Sequence, residues 1–136
     1  MPNLVRFSVA LKQSLLADFD RHVRKLGYPT RSKAIADLLR ESLVQEEWQE
    51  GKEVSGAVIL VYNHHQHDVA HVLTEIQHEF QGIIISSQHI HLDHDNCLEI
   101  VAVRGKPSEI GSLAKKLKAL KGIKHSSVAI AATGKI

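Results

Sequence analysis

The sequence predicts an α+β chain in two parts, a short β-α-α module that pairs as a dimer and a following βαββαβ domain. Three observations carry this expectation. Apolar residues alternate with polar ones from Val5 to Leu11, then recur at helical spacing as far as Trp48. Beyond residue 53, β-branched runs alternate with two further stretches of helical period. Gly27, Gly51 and Gly122 stand where the period changes.

Composition sets the outer bounds. With 136 residues, 43% hydrophobic and 24% charged, the chain is one ordinary domain or two small ones. No apolar run approaches the ~20 residues of a membrane span, and the N-terminus lacks a signal-peptide layout. No membrane partner is therefore expected, and a cytoplasmic location is. One cysteine, Cys97, excludes an intrachain disulfide and suits a metal-bound thiolate in a reducing compartment. The net charge of +2 hides an asymmetry. Residues 1–40 carry eight Lys/Arg against three acids, whereas the remainder is net acidic. Only His22 precedes residue 60, and nine histidines follow. A basic first part thus precedes a histidine-rich second part, with domains expected at 1–48 and 54–136 and a polar linker at 49–53.

In the first part Val5, Phe7, Val9 and Leu11 alternate with Arg6, Ser8 and Ala10, the period of a half-buried strand. Leu15, Leu16, Phe19, Val23 and Leu26 then mark a helix ending at Gly27. Thr30 or Ser32 caps a second helix carrying Ile35, Leu38, Leu39 and Leu43. One strand and two helices cannot bury their apolar faces alone, and a lone strand leaves backbone groups unpaired. A symmetric dimer pairing two such strands into an antiparallel ribbon answers both problems. Such a ribbon fits the major groove of DNA, with Arg6, Ser8 and Ala10 facing base edges. The start of the second helix, at Arg31 and Ser32, would set backbone N–H groups against a phosphate. Pattern alone leaves a small basic dimerisation module, with a solvated outer strand face, equally open.

In the second part, 54–62 reads as a strand, about 67–81 as a helix, and the stretches flanking 93–96 as two strands of a hairpin. Ile110, Leu113, Ala114, Leu117 and Leu120 place a helix at 107–121, stopped by Gly122, and 126–132 is the last strand. This is an antiparallel sheet with two helices on one face.

The hairpin carries the chemistry. His89 and His91 leave the same face, about 7 Å apart. A three-residue loop at 93–95 would set Cys97 opposite His91, with Cβ atoms about 5 Å apart. Two imidazoles and a thiol then converge as a three-ligand constellation for a soft divalent metal. Glu99, one alternation beyond Cys97, can accept a hydrogen bond from a ligating imidazole. On the preceding helix Val69, Val72, Leu73, Ile76 and Phe80 form the inward stripe, while His67, His71 and His78 fall opposite. His78 therefore reaches a neighbour's hairpin more easily than its own. His67 and His71 read as a solvated face, and His94 as a solvent-facing residue at the tip.

The order strand, helix, Gly27-Tyr28, Arg31-Ser32, helix resembles the ribbon-helix-helix repressors. Together with His89-x-His91-x5-Cys97-Leu98-Glu99-Ile100 it looks like the nickel-responsive regulator family, over nearly the whole chain. That family joins a ribbon-helix-helix module to an ACT-type, ferredoxin-like domain. The resemblance implies Ni(II), one per subunit, held by His89, His91 and Cys97 with His78 from another subunit. It also implies a homotetramer, a dimer of dimers, that represses genes of nickel uptake by binding palindromic double-stranded operator DNA. Spacing by itself supports only a soft divalent metal; nickel comes from the resemblance.

The chain departs from the family at three places. Where some relatives carry an acidic pair at the start of the second helix for a further cation, it has Lys33 and Asp37, and Lys33 can replace that cation by a salt bridge. Gln66 and His67 stand in place of a basic pair, and Ala10 in place of a hydroxyl residue on the reading strand. Two other classes of function are weaker. An enzyme would use Cys97 as nucleophile with His89 or His91 as base, but no oxyanion device is apparent, so none is expected. A histidine-rich metal buffer or chaperone would leave the basic module without a purpose.

Overall fold

The computed structural model describes residues 3–66 and 69–134. The element order is α1 (Gln13–Lys25), α2 (Arg31–Glu50), β1 (Val54–Asn63), α3 (Val69–Glu79), β2 (Ile84–His91), β3 (Asn96–Gly105), α4 (Pro107–Lys118) and β4 (Ile123–Ala131). The chain divides into two compact units, Met1–Glu41 and Ser42–Ile136.

In the first unit, residues 3–12 have no regular secondary structure. The alternating strand expected there is absent, and the reason is physical: a single chain offers it no ladder partner. Val5, Phe7 and Val9 remain 85%, 72% and 62% exposed. Phe7, Val9 and Leu11 nonetheless lie along an apolar groove with Leu15, Phe19 and Ile35. Helix α1 stops before Gly27, whose φ of 75° reverses the chain at no steric cost. Thr30, rather than Ser32, caps α2: its Oγ1 accepts from the Lys33 N–H at 3.1 Å. Arg31 grips Asp20 of α1 through two parallel contacts, Nε–Oδ1 at 2.8 Å and a terminal nitrogen to Oδ2 at 2.7 Å.

In the second unit the four strands lie in the order β2-β3-β1-β4, and every pairing is antiparallel. The inward residues of β1 (Val54, Val58, Leu60, Tyr62) and β3 (Cys97, Val101, Val103) meet Val69, Leu73 and Ile76 of α3 and Ile110, Leu113 and Leu117 of α4 in one core. Both helices thus cover one face, as the period predicts, and the inward stripe of α3 is the expected one. Trp48, near the end of α2, packs against this core and donates its indole N–H to the Ala131 carbonyl at 3.1 Å.

Element ends differ from the sequence reading in ways that caps and pairing explain. Helix α4 ends at Lys118 rather than 121, with Gly122 at φ 97° making the reversal. β4 begins at Ile123, three residues before the predicted start, because Tyr62 pairs with Ile123 across an irregularity in β1. Helix α3 runs from Val69 to Glu79. The predicted start of that helix at His67 lies outside the described residues, as does the solvated role read for His67.

Candidate metal centre

The hairpin closes in the expected register. His91 pairs with Cys97, His89 with Glu99, and Asp93 holds the tip by accepting from the backbone N–H groups of Asp95 and Asn96, each at 2.9 Å. Loop length together with the period of two puts His89, His91, Cys97 and Glu99 on one face. It is the face that packs on the helices, so Cys97 and Glu99 are buried while both imidazoles reach the surface.

Three donors converge there. Cys97 Sγ lies 3.4 Å from His91 Nδ1. His64, two residues beyond the Tyr62 that pairs with Cys97, brings its ring to 5.4 Å from that of His91. Ligand atoms of His64, His91 and Cys97 all stand within 4.8 Å of one another. Donors bound to a single transition-metal ion at about 2.0–2.3 Å stand roughly 3–4 Å apart, so a small inward movement suffices. The His64 Nδ1 atom is buried and has no hydrogen-bond partner among the described residues. A buried ring nitrogen without a partner among the described residues, beside a thiol and a second imidazole, fits a metal ion. Burial and the neighbouring imidazoles of His65 and His91 lower the His64 pKa, keeping that ring neutral and able to ligate.

His89 sits differently. Its ring is 5.1 Å from that of His91, but Nδ1 is engaged, 2.9 Å from the Tyr62 hydroxyl and 3.1 Å from Glu99 Oε2. The Tyr62 hydroxyl donates to the same carboxylate oxygen at 3.3 Å, and Gln77 donates to the other at 3.4 Å. A carboxylate so held favours the tautomer with the proton on Nδ1, leaving Nε2 as the free donor. Burial, then the Glu99 charge, pushes the Tyr62 hydroxyl far above its ordinary pKa, so it remains a proton donor. Burial, then Glu99 and Asp93, likewise raises the Cys97 thiol.

His78 is exposed near the end of α3 and does not join the three converging donors. Sequence reading overlooked Tyr62 and Gln77. The one available signal was that Tyr62 is the last inward position of β1.

The nucleic-acid candidates lie in the other unit. Arg6, Ser8 and Ala10 are exposed in the irregular segment, and Arg31 and Ser32 are exposed in the first turn of α2. The Arg31 side chain is committed to Asp20, leaving backbone N–H groups as the feature of that turn. Lys33 Nζ meets Asp37 Oδ1 at 2.9 Å, the salt bridge expected in place of a cation, and Arg40 joins the same oxygen at 3.2 Å.

Comparison with known proteins places this geometry. Residues 55–131 match the family model described as the NikR C terminal nickel binding domain. A protein of Syntrophus aciditrophicus with the name "Putative nickel-responsive regulator" is 50% identical over 136 residues, covering 100% of this chain and 99% of its own length. Proteins of the same name from Chlorobaculum tepidum and Pyrococcus horikoshii are 45% and 44% identical. Each covers 96–97% of this chain and a like share of its own length. An uncharacterized protein of Thermotoga maritima shares the fold with a TM-score of 0.53, at 14% identity, over 58% of this chain and 98% of its own. With a family model matching more than half the chain and relatives this similar along its whole length, the chain belongs to the family of nickel-responsive regulators.

Proposed function

We propose that this regulator is a nickel-dependent repressor that binds palindromic operator DNA when its metal centre is filled, and so controls nickel uptake. The observation that supports it best is the pairing of Cys97 with His91, whose Sγ and Nδ1 stand 3.4 Å apart on the hairpin that also carries His89. Bound nickel would supply a fixed link between side chains of separate subunits. His89, His91 and Cys97 bind it from one hairpin, and the outward His78 of the partner subunit completes the set, one ion per subunit. Glu99 and Tyr62 hold His89 in its ligating orientation.

Residues 1–48 are then a ribbon-helix-helix module, 49–53 a linker and 54–136 the metal-binding and tetramer-forming domain. The exposed Val5, Phe7 and Val9 are what a second copy of the module would cover by pairing its own 5–11 segment. That pairing turns Arg6, Ser8 and Ala10 toward base edges and leaves the first turn of α2, at Arg31 and Ser32, for phosphate. Coupling of the two sites is expected to amount to about 1–3 kcal/mol, and operator DNA must tighten nickel binding by the same factor.

The test is a pair of measurements on Cys97→Ala. It should lose the thiolate-to-nickel charge-transfer absorption, and gel shifts on operator DNA should no longer respond to nickel. An unchanged spectrum and an unchanged shift would remove Cys97 from the centre and, with it, this reading.

A further inference from the structure

The last turns of α2 are tied into the sheet of the second unit. The chain divides between Glu41 and Ser42, so residues 42–50 of the continuous helix Arg31–Glu50 belong with that sheet. Trp48 packs on the core there, and its indole N–H donates to the Ala131 carbonyl at the end of β4, at 3.1 Å. Its Cζ2 lies over Gly56 of β1, 3.6 Å from where a Cβ would stand. Two further contacts close the junction. The Lys52 N–H donates to the Glu47 carbonyl at 3.2 Å, and Ser55 Oγ donates to the Ala132 carbonyl. Residues on either side of 49–53 are therefore both fastened to the end of β4.

This docking is held against an opposing cost. Glu47 Oε2, next to Trp48 in the chain, is buried without a hydrogen-bond partner among the described residues. A carboxylate oxygen so placed gains by returning to water, which favours release of the helix end. A contact balanced in this way shifts readily when a ligand binds one arrangement better than the other.

The strand under the indole leads to the metal centre. β1 carries Gly56 near one end and, near the other, Tyr62, whose hydroxyl meets His89 and Glu99. The stretch between them spans about 20 Å. It is stiff, because Val58 and Leu60 are fully buried and β1 is paired on both sides. The helix that ends beside Trp48 begins at Arg31 and Ser32, the turn assigned above to phosphate.

We propose that Trp48 is a positioning residue of this regulator, and that its docking on Gly56 and Ala131 is the contact through which a filled metal centre fixes helix α2 for DNA. The role rests on the nickel-repressor reading above. Reciprocity then requires that nickel favour the docked indole.

The experiment uses the full chain, nickel chloride, and a duplex selected from random DNA by the nickel-loaded native chain. Nickel should tighten binding of that duplex by the native chain about 5–150-fold. Trp48→Ala should keep the thiolate band, while the gain from nickel shrinks by about 2–30-fold. Trp48→Phe, which keeps a ring over Gly56, should recover part of it. A role in folding alone would weaken binding equally with and without nickel, leaving the gain intact, and that result would overturn the proposal. A second measurement needs no variant. Trp48 is the only tryptophan, so its emission reports the docked indole directly. Acrylamide should quench it less when nickel is bound, and equal quenching in both states would overturn the proposal even if Trp48→Ala did not fold. A native chain that selects no duplex, or binds one equally well without nickel, would overturn the repressor reading and this role with it.

Discussion

Glu99 is 6% exposed, and its carboxylate meets Tyr62, Gln77 and His89. Such a buried group is tolerated because each oxygen has partners, and its effect is to set which nitrogen of His89 is free. Glu99→Gln keeps the size and removes the charge that favours a proton on Nδ1. Nickel affinity should fall about 10–100-fold in a competition titration, with the fold intact by circular dichroism. No change would mean that Glu99 serves packing alone. The thiol sets a pH dependence of definite sign. Cys97 has its pKa raised, so at neutral pH it carries a proton that must leave as the metal binds. His64, with its pKa lowered, contributes no such proton near neutrality. Binding should therefore weaken by about tenfold for each unit of acidification from pH 8 to pH 7, with at least one proton released per ion. Calorimetry in buffers of different ionisation enthalpy counts that proton directly, and a count of zero would contradict a thiolate ligand.

Among the elements, β1 sits between β3 and β4 and depends on one glycine. A Cβ on Gly56 would stand 2.5 Å from the Ala129 backbone oxygen, so β4 could not keep its register. Gly56→Ala should cost about 1–3 kcal/mol, read from the denaturant midpoint. Gly111 gives the opposite expectation, since a Cβ there meets nothing within 4 Å and the residue lies inside α4. Gly111→Ala should stabilise by about 0.5–1 kcal/mol. If both substitutions move the midpoint the same way, close approach of β4 is not what Gly56 serves. The segment at 3–12 shows the limit of an element taken alone. Its alternation is that of a strand, but a strand exists only with a partner to accept and donate its ladder bonds.

For the molecule as a whole, exposure of apolar residues is concentrated where the proposed function needs a second copy. His78 is exposed in the last turn of α3, and the proposed function assigns its imidazole to a neighbouring subunit's centre. His78→Ala should leave the subunits folded, with an altered nickel spectrum and operator binding that no longer responds to the metal. Mixing it with Cys97→Ala should restore part of the native spectrum, because some sites then join an intact hairpin to an intact His78. Absence of recovery in demonstrably mixed tetramers would refute the cross-subunit ligand and leave His64 as the completing imidazole. Regulation, rather than catalysis, is the family's work, and the chain carries no helix among its described residues that is long and apolar enough to cross a membrane.

The sequence by itself determined the α+β class, the order of elements from α1 onward, the inward stripe of α3 and the pairing of His91 with Cys97. Each of these depends on periodicity or loop length within a few residues, which the chain encodes locally. Only the tertiary structure decided that His64 approaches the thiol, that Tyr62 and Gln77 hold Glu99, and that His65 meets His94. Those contacts join residues such as Tyr62 and Glu99 that are 37 apart, and they follow from β1 lying next to β3. Alternation says which face a residue takes but not which strand lies beside it, so the neighbours of the hairpin became visible only once the sheet was assembled.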